Sequence, residues 1–439
     1  MLRLALPVVM AELGWMAMGV VDTVMVGRLS PEAIGAVGVS SNLFMGLVVF
    51  AMGLMLGLDT LVSQAFGAGR LEECHRWLLH GMVMSGVISI PTTLVIFAIT
   101  RQLGGWGVDP AVLALTQPYL DVLAWSVLPL LLYAAFRRYL QGMGVVRPIM
   151  IALIASNISN LFLNWVLVYG NLGAPAMGVR GSAWSTVVAR VVMMGYLGLV
   201  IIRRERNRRP GLLETSWRIE RAWLQRLIAL GFPAAGQLTL EVGVFAAATV
   251  LAGRLAPVDL ASHQIALNIS SVTFMVPLGV SAAGAVRVGH AIGRRDVHGA
   301  ETSGWTALII GVSFMAVAAL VLIGAPRPLI GAFSSDDGVL RVSTTLLQVA
   351  AVFQLFDGLQ CVATGVLRGL GDTRTAMLWN LVAHWFLGLP FGYVLCFVAN
   401  LGVAGLWWGL STGLIICGVG LLVVWTRHIS AEKRQAGLA

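Results

Sequence analysis

Six carboxylates stand inside long apolar runs of this sequence: Glu12, Asp22, Asp59, Asp121, Glu241 and Asp357. An ionisable side chain within hydrocarbon costs from about 3 to over 10 kcal/mol, so each one needs an explanation. No lysine falls inside such a run, and Arg190 is the only arginine placed deep in one. The acids therefore outnumber their permanent partners. Burial disfavours the charged form of a carboxylate. Such groups are neutralised by a proton, a metal cation or a cationic solute, and exchange among those three is the chemistry of an antiporter.

Polar side chains recur at helical spacing near the acids. Asn160 and Asn164 are four residues apart and share one helix face, and Ser182 and Thr186 repeat that spacing. Two amides and two hydroxyls beside a carboxylate make the oxygen-rich setting that hard cations prefer. The same residue types also join adjacent helices in membranes. Glu12 lies ten positions before Asp22, roughly 80° around a helix, so it can face the same cavity and modify coupling. Asp59 and Gln64, in LDTLVSQ, fall towards one end of their run and read as packing or gating residues. Asp121 is near the end of its run and is expected to be solvated. His263 and His384 fit helix-bonding histidines better than proton relays. The four cysteines, Cys74, Cys361, Cys396 and Cys417, lack ligand spacing and read as small buried hydrophobes.

The elements that carry these residues follow from composition. The chain has 439 residues, 58% hydrophobic and 11% charged, with mean hydropathy +0.86. Soluble domains average about 25% charged residues. Apolar runs of about 20 residues or more cross roughly 30 Å of hydrocarbon. Twelve spans are predicted, at 3–26, 34–66, 77–100, 115–137, 147–169, 178–201, 227–252, 260–288, 302–324, 339–366, 376–398 and 403–425. The first run continues too far for a cleaved signal peptide and lacks a small-residue cleavage site.

A net charge of +9 could suggest nucleic acid, but the basic residues sit in short loops between apolar runs. With the N-terminus inside, 22 arginines and lysines fall on the cytoplasmic side. Only Arg28, Arg101, Arg180, Arg254, Arg327 and Arg341 fall opposite. That asymmetry places both termini in the cytoplasm. The run GAGR at 67–70 lacks the strand, Lys and Ser/Thr of a phosphate loop, and no Walker motif occurs, so ATP is not the expected energy source.

The sequence also repeats itself. At an offset of 226, Pro7 meets Pro233, GRLSP at 27–31 meets GRLAP at 253–257, Asn42 meets Asn268, Gly53 meets Gly279 and Gly67 meets Gly293. Further on, QGMG at 141–144 answers RGLG at 368–371, and GVRGSAW at 178–184 answers GVAGLWW at 402–408. An even span count per repeat gives both halves one orientation, the parallel-repeat layout of secondary transporters, with a substrate site expected at the repeat interface. The expected organisation is an all-α membrane protein of twelve transmembrane helices in two parallel-repeat six-helix lobes. Residues 1–202 form the N-lobe, 203–226 a cytoplasmic basic linker, 227–426 the C-lobe and 427–439 a cytoplasmic tail.

The aligned runs VDTVMVGRLS at 21–30, LDTLVSQAFGAGR at 58–70, LGFPAAGQ at 230–237, ASHQIALNISS at 261–271 and VLRGLGDTR at 366–374 resemble the multidrug and toxic compound extrusion (MATE) family. VDT in the first span, with carboxylates in the seventh and tenth, looks like the bacterial norfloxacin-exporter subgroup. The resemblance implies a transporter, not an enzyme, in the bacterial cytoplasmic membrane, exporting small cationic or amphipathic organic compounds against H⁺ or Na⁺. It implies no cofactor, ATP or nucleic acid, and action as a monomer. It also implies that Asp22, Asn160, Asn164, Ser182 and Thr186 form the N-lobe cation site, with Na⁺ admissible at Asp22, and that Glu241 and Asp357 are C-lobe coupling or substrate acids. Glu12, Asp59, Gln64 and His263 remain as modifiers, Glu12 where the family has a neutral residue. Two other classes stay open. A lipid-linked oligosaccharide flippase would need an arginine-dominated cavity, and a membrane scaffold would not need interior acids in both lobes.

Overall fold

The computed structural model describes residues 1–107, 109–206, 212 and 217–435. Every element among them is helical. We number the membrane-length helices α1 (Leu2–Val26), α2 (Pro31–Leu54 continuing as Gly57–Gly67), α3 (Leu71–Gln102), α4 (Pro110–Ala124 and Val127–Gly142), α5 (Arg147–Tyr169) and α6 (Val179–Glu205). The second half supplies α7 (Arg221–Ala252), α8 (Pro257–Gly293), α9 (Val297–Gly324), α10 (Asp337–Leu370), α11 (Arg374–Val398) and α12 (Gly402–Gln435). Eleven of these are each long and apolar enough to span a bilayer. The two parts of α4, bent by 49°, qualify together, which makes twelve.

Local chemistry sets the starts. Ser30 caps α2 by accepting from the Ala33 amide at 3.2 Å, ahead of Pro31. Asp109 caps α4 in the same way, accepting from Ala111 N at 2.8 Å ahead of Pro110. A side-chain oxygen satisfies amides that have no partner within the helix, and proline at the first position gives up an N–H that had none. Two π-helical stretches interrupt α11, at Leu381–Gly388 and Val394–Val398.

The ends depart from the sequence expectation. Span 12 was placed at 403–425, yet α12 runs to Gln435, and Lys433 pairs with Glu301 at 2.7 Å. Of the basic linker at 203–226, residues 207–211 and 213–216 lie outside the described residues. Its far end is anchored on α3. Glu220 pairs with Arg76, the Arg76 guanidinium lies 4.1 Å over the Trp223 ring, and the Glu220 amide donates to His80 Nε2 at 3.1 Å.

The chain divides into two compact units, residues 10–235 and residues 1–9 with 236–439. Each unit is thus completed by a short piece from the start of the other half. Glycine makes both joins possible. A Cβ on Gly53 would sit 2.5 Å from Ala235 Cα, and one on Gly279 would sit 2.9 Å from Val9 N. The two contacts are the same contact, since Gly279 and Ala235 lie 226 residues after Gly53 and Val9. Small residues let membrane helices touch backbone to backbone. The glycines of α12 serve the same end: a Cβ on Gly405 would sit 2.6 Å from Cys396 N.

Candidate functional site

In the unit of residues 10–235, α5 lies along α1 and fixes its height. Asn157 Nδ2 donates to Gly14 O at 2.9 Å, and Tyr169 Oη donates to Met25 O at 2.5 Å. Between those two ties lies Asp22, only 5% exposed. Its Oδ1 accepts from Asn160 Nδ2 at 3.0 Å and from Asn164 Nδ2 at 2.9 Å, and its Oδ2 accepts from Thr186 Oγ1 at 2.7 Å. Four of the five expected residues therefore converge through three helices. Ser182, one turn before Thr186, is buried but makes no bond to the carboxylate. Three buried oxygens here have no hydrogen-bond partner among the described residues: Asn160 Oδ1, Asn164 Oδ1 and Ser182 Oγ.

This arrangement can do two things. As placed, the donors suit a charged carboxylate, because hydrogen bonds to an ionised acceptor are stronger than neutral ones. A half-turn of either amide about its last torsion exchanges nitrogen for oxygen, and would turn an unbonded carbonyl towards the site. Donor and ligand sets for a small cation are thus held in the same side chains.

The other acids of this unit do not join Asp22. Glu12, roughly 80° from Asp22 around α1, could have faced the same cavity. It is instead paired with Arg137 of α4, the two side chains 12% and 6% exposed, in a seam where Trp15 stacks on Tyr133 at 6.4 Å. Asp59 is fully buried, and its Oδ2 accepts from Arg138 Nη1 at 3.2 Å. The charge count puts Arg137 and Arg138 among the cytoplasmic loop residues and leaves Arg190 alone deep in a span; the structure instead places both in a helix, with Arg137 as buried as Arg190. The reason is length: the second part of α4 continues to Gly142, and carries both guanidiniums inward to acids on α1 and α2. Gln64 is half-buried, on the same short helix as Asp59. Asp121, expected to be solvated, is half-buried in α4, with Oδ1 buried and unbonded among the described residues. The 49° bend four residues on keeps it inside.

In the unit of residues 1–9 and 236–439, Glu241 Oε2 accepts from Gln237 Nε2 at 2.7 Å and from Gln360 Nε2 at 3.5 Å. Asp357, 4% exposed, lies one turn before Gln360 on α10. Its side chain has no hydrogen bond or ion pair among the described residues. Gln237 and Gln360 were not read from the sequence, although Gln237 stands four residues before Glu241 on one helix face, and that spacing was a usable signal. His263 is a satisfied bridge. Its Nδ1 accepts from Trp407 Nε1 at 3.1 Å, which leaves the ring proton on Nε2, 3.0 Å from Thr249 Oγ1. A second proton would cost the Trp407 bond.

Helices of membrane length in two repeat-related sets, with carboxylates buried in each, are the architecture of a secondary transporter. The model of the MatE family matches residues 7–166 and again 233–394, beginning at the pair Pro7 and Pro233. The chain belongs to that family. A probable multidrug resistance protein NorM of Mesorhizobium japonicum is 36% identical over 97% of this chain and 93% of its own length. The multidrug resistance protein NorM of Photobacterium profundum is 31% identical over 100% and 97%. Among solved structures, a MATE in the bent conformation superposes with a TM-score of 0.89 at 20% identity, covering 99% of this chain and 96% of that one. A eukaryotic MATE transporter gives 0.87 at 21%, covering 99% and 97%.

Proposed function

We propose that this protein is a multidrug efflux transporter that exports cationic, amphipathic organic compounds in antiport with H⁺ or Na⁺ by alternating access. Asp22 is the N-lobe coupling acid, assisted by Asn160, Asn164, Thr186 and Ser182, and Glu241 with Asp357 serves the C-lobe. The observation that carries the reading is Asp22: a buried carboxylate, on a membrane helix, bonded only by neutral donors. Glu12 and Asp59, by contrast, each have an arginine in contact. The relatives named for multidrug resistance support the substrate class. On this reading the protein acts as a monomer in the bacterial cytoplasmic membrane with both termini inside; the excess of arginine and lysine in the loops on the side of the termini supports that orientation.

Acids in both halves leave room for more than one coupling cation, and the membrane potential contributes only if more than one enters per monovalent drug. A charge crossing 100 mV releases about 2.3 kcal/mol, whereas a monovalent drug exchanged for one cation is electroneutral and draws nothing from the potential. The test is efflux of a cationic dye from whole cells and inside-out vesicles, with the pH gradient and Na⁺ varied separately. Asp22→Asn abolishes cation-driven efflux while the protein still reaches the membrane. Wild-type efflux in a normally expressed Asp22→Asn protein refutes the assignment.

A further inference from the structure

Glu12, Asp22 and Asp59 each have an arginine nearby, but they are not treated alike. Arg137 and Arg138 touch their acids. Arg190 does not touch Asp22. It is 6% exposed, on α6, one turn beyond Thr186, so that Ser182, Thr186 and Arg190 form one stripe at four-residue spacing. Neutral groups hold its guanidinium: Nη1 donates to Ser126 Oγ of α4, and the carbon centre lies 4.5 Å over the ring of Phe44 on α2. Its Nε is buried without a hydrogen-bond partner among the described residues. Asp22 of α1 lies on the same side, bonded to Thr186 one turn before Arg190, and the Tyr119 phenol of α4 is the other ionisable group that acts on the guanidinium. From α5, the facing groups Asn160 and Asn164 are neutral amides.

Resting on the reading of Asp22 as the coupling acid, we propose that Arg190 is a positioning residue for the transport reaction, a resident cation that competes through space with the coupling ion for Asp22. With Asp22 ionised and no ion bound, the guanidinium and carboxylate balance, and this polar interior carries no net charge. A proton or Na⁺ arriving at Asp22 leaves one uncompensated positive charge in a low-dielectric interior. Binding is weakened by that repulsion, and the ion is released when the site opens to a compartment where it is scarce. A contacting guanidinium would block the site outright, and a missing one would let the ion bind too tightly to turn over. Ser126 and Phe44 hold the guanidinium so that it does not contact the carboxylate.

The experiment measures cation dependence. Cationic-dye efflux is followed while external H⁺ and, separately, Na⁺ are varied, in wild type, Arg190→Gln, Arg190→Lys and Asp22→Asn. Removing the charge lowers the half-saturating concentration of the coupling cation about tenfold, as expected for loss of one nearby opposite charge, and lowers the maximal rate through slower release. Arg190→Lys, which keeps the charge, stays close to wild type. A merely structural arginine would lower the maximal rate without tightening cation dependence, and that outcome overturns the proposal. If Arg190→Gln abolishes efflux, Na⁺ calorimetry and proton uptake on the purified protein read the same affinity, with Arg190→Met as the apolar substitute. An Asp22→Asn protein with unchanged cation dependence removes the underlying reading of Asp22. Lost coupling in Asp22→Asn with no tightening in Arg190→Gln removes only the role of Arg190.

Discussion

Replacing Arg137 with methionine would leave Glu12 buried at 12% exposure with no cation in contact. Breaking one side of a buried ion pair costs about 3–5 kcal/mol, because the remaining charge loses its partner and cannot regain water. Replacing both partners with neutral groups of similar volume is near neutral in the same comparison, since the desolvation of two ions disappears together. The expected pattern is therefore a loss of about 3–5 kcal/mol for Arg137→Met alone, and a loss of under about 1.5 kcal/mol for Glu12→Gln with Arg137→Met. Glu12→Gln alone leaves an unpaired buried guanidinium and falls on the costly side. The measurement is reversible unfolding of purified protein in mixed micelles, scored as a double-mutant cycle. Cationic-dye efflux is followed in parallel. The double variant retains efflux and its cation dependence, because Glu12 serves packing between α1 and α4. Additive losses across the cycle would refute the contact. A double variant that is stable but uncoupled would return Glu12 to the transport chemistry.

Two further predictions follow from the other half and from the helix joins. Glu241→Gln and Asp357→Asn each reduce dye efflux at least about tenfold, and the double variant loses little more than the worse single, since residues acting as one unit are non-additive. Strictly multiplicative losses in efflux assays would separate the two acids. Gly53→Val and Gly279→Val each place side-chain atoms against backbone that no rotamer change relieves, and each lowers stability by about 1–3 kcal/mol or more. Because the repeat relates the two contacts, the losses should match to within about a factor of two, and thermal unfolding with no shift in either variant would contradict the close approach.

Most of the architecture was legible, because hydrocarbon imposes length and apolarity on every span and the 226-residue offset exposes the duplication. Helix ends were less so. Nothing in the run of residues 127–142 announces that α4 continues past Arg137 and Arg138, since adjacent arginines read as a loop until acids on other helices are known to meet them. For the same reason Glu12 looked available. The Asp22 partners were visible because four-residue spacing puts Asn160 with Asn164 and Ser182 with Thr186, yet spacing could not say that Ser182 makes no bond to the carboxylate. Gln360 reaches Glu241 from 119 residues away, and no local pattern carries that information.

The repeat separates what duplication preserved from what it let go. The backbone crossings survive: Gly53 on Ala235 and Gly279 on Val9 are one contact made twice. The chemistry does not. At the same offset Asp22 corresponds to Ala248, Asp59 to Ala285, Glu12 to Leu238 and Glu241 to Trp15. A glycine at a crossing is fixed by volume, because any side chain there displaces backbone. A buried acid is fixed only by what neutralises it, and the two halves neutralise theirs differently. Asp22 is met by three donors, with Arg190 held at a distance on the next turn of α6. Glu241 is met by two glutamine amides, and Asp357 by no hydrogen bond among the described residues. On the proposed mechanism its donors and the distant guanidinium let Asp22 ionise with its site empty, whereas Glu241 and Asp357 share a proton or a cation. On the proposed mechanism the two acid sites then hold cations with unequal strength, and the site around Asp22 is the one that empties first.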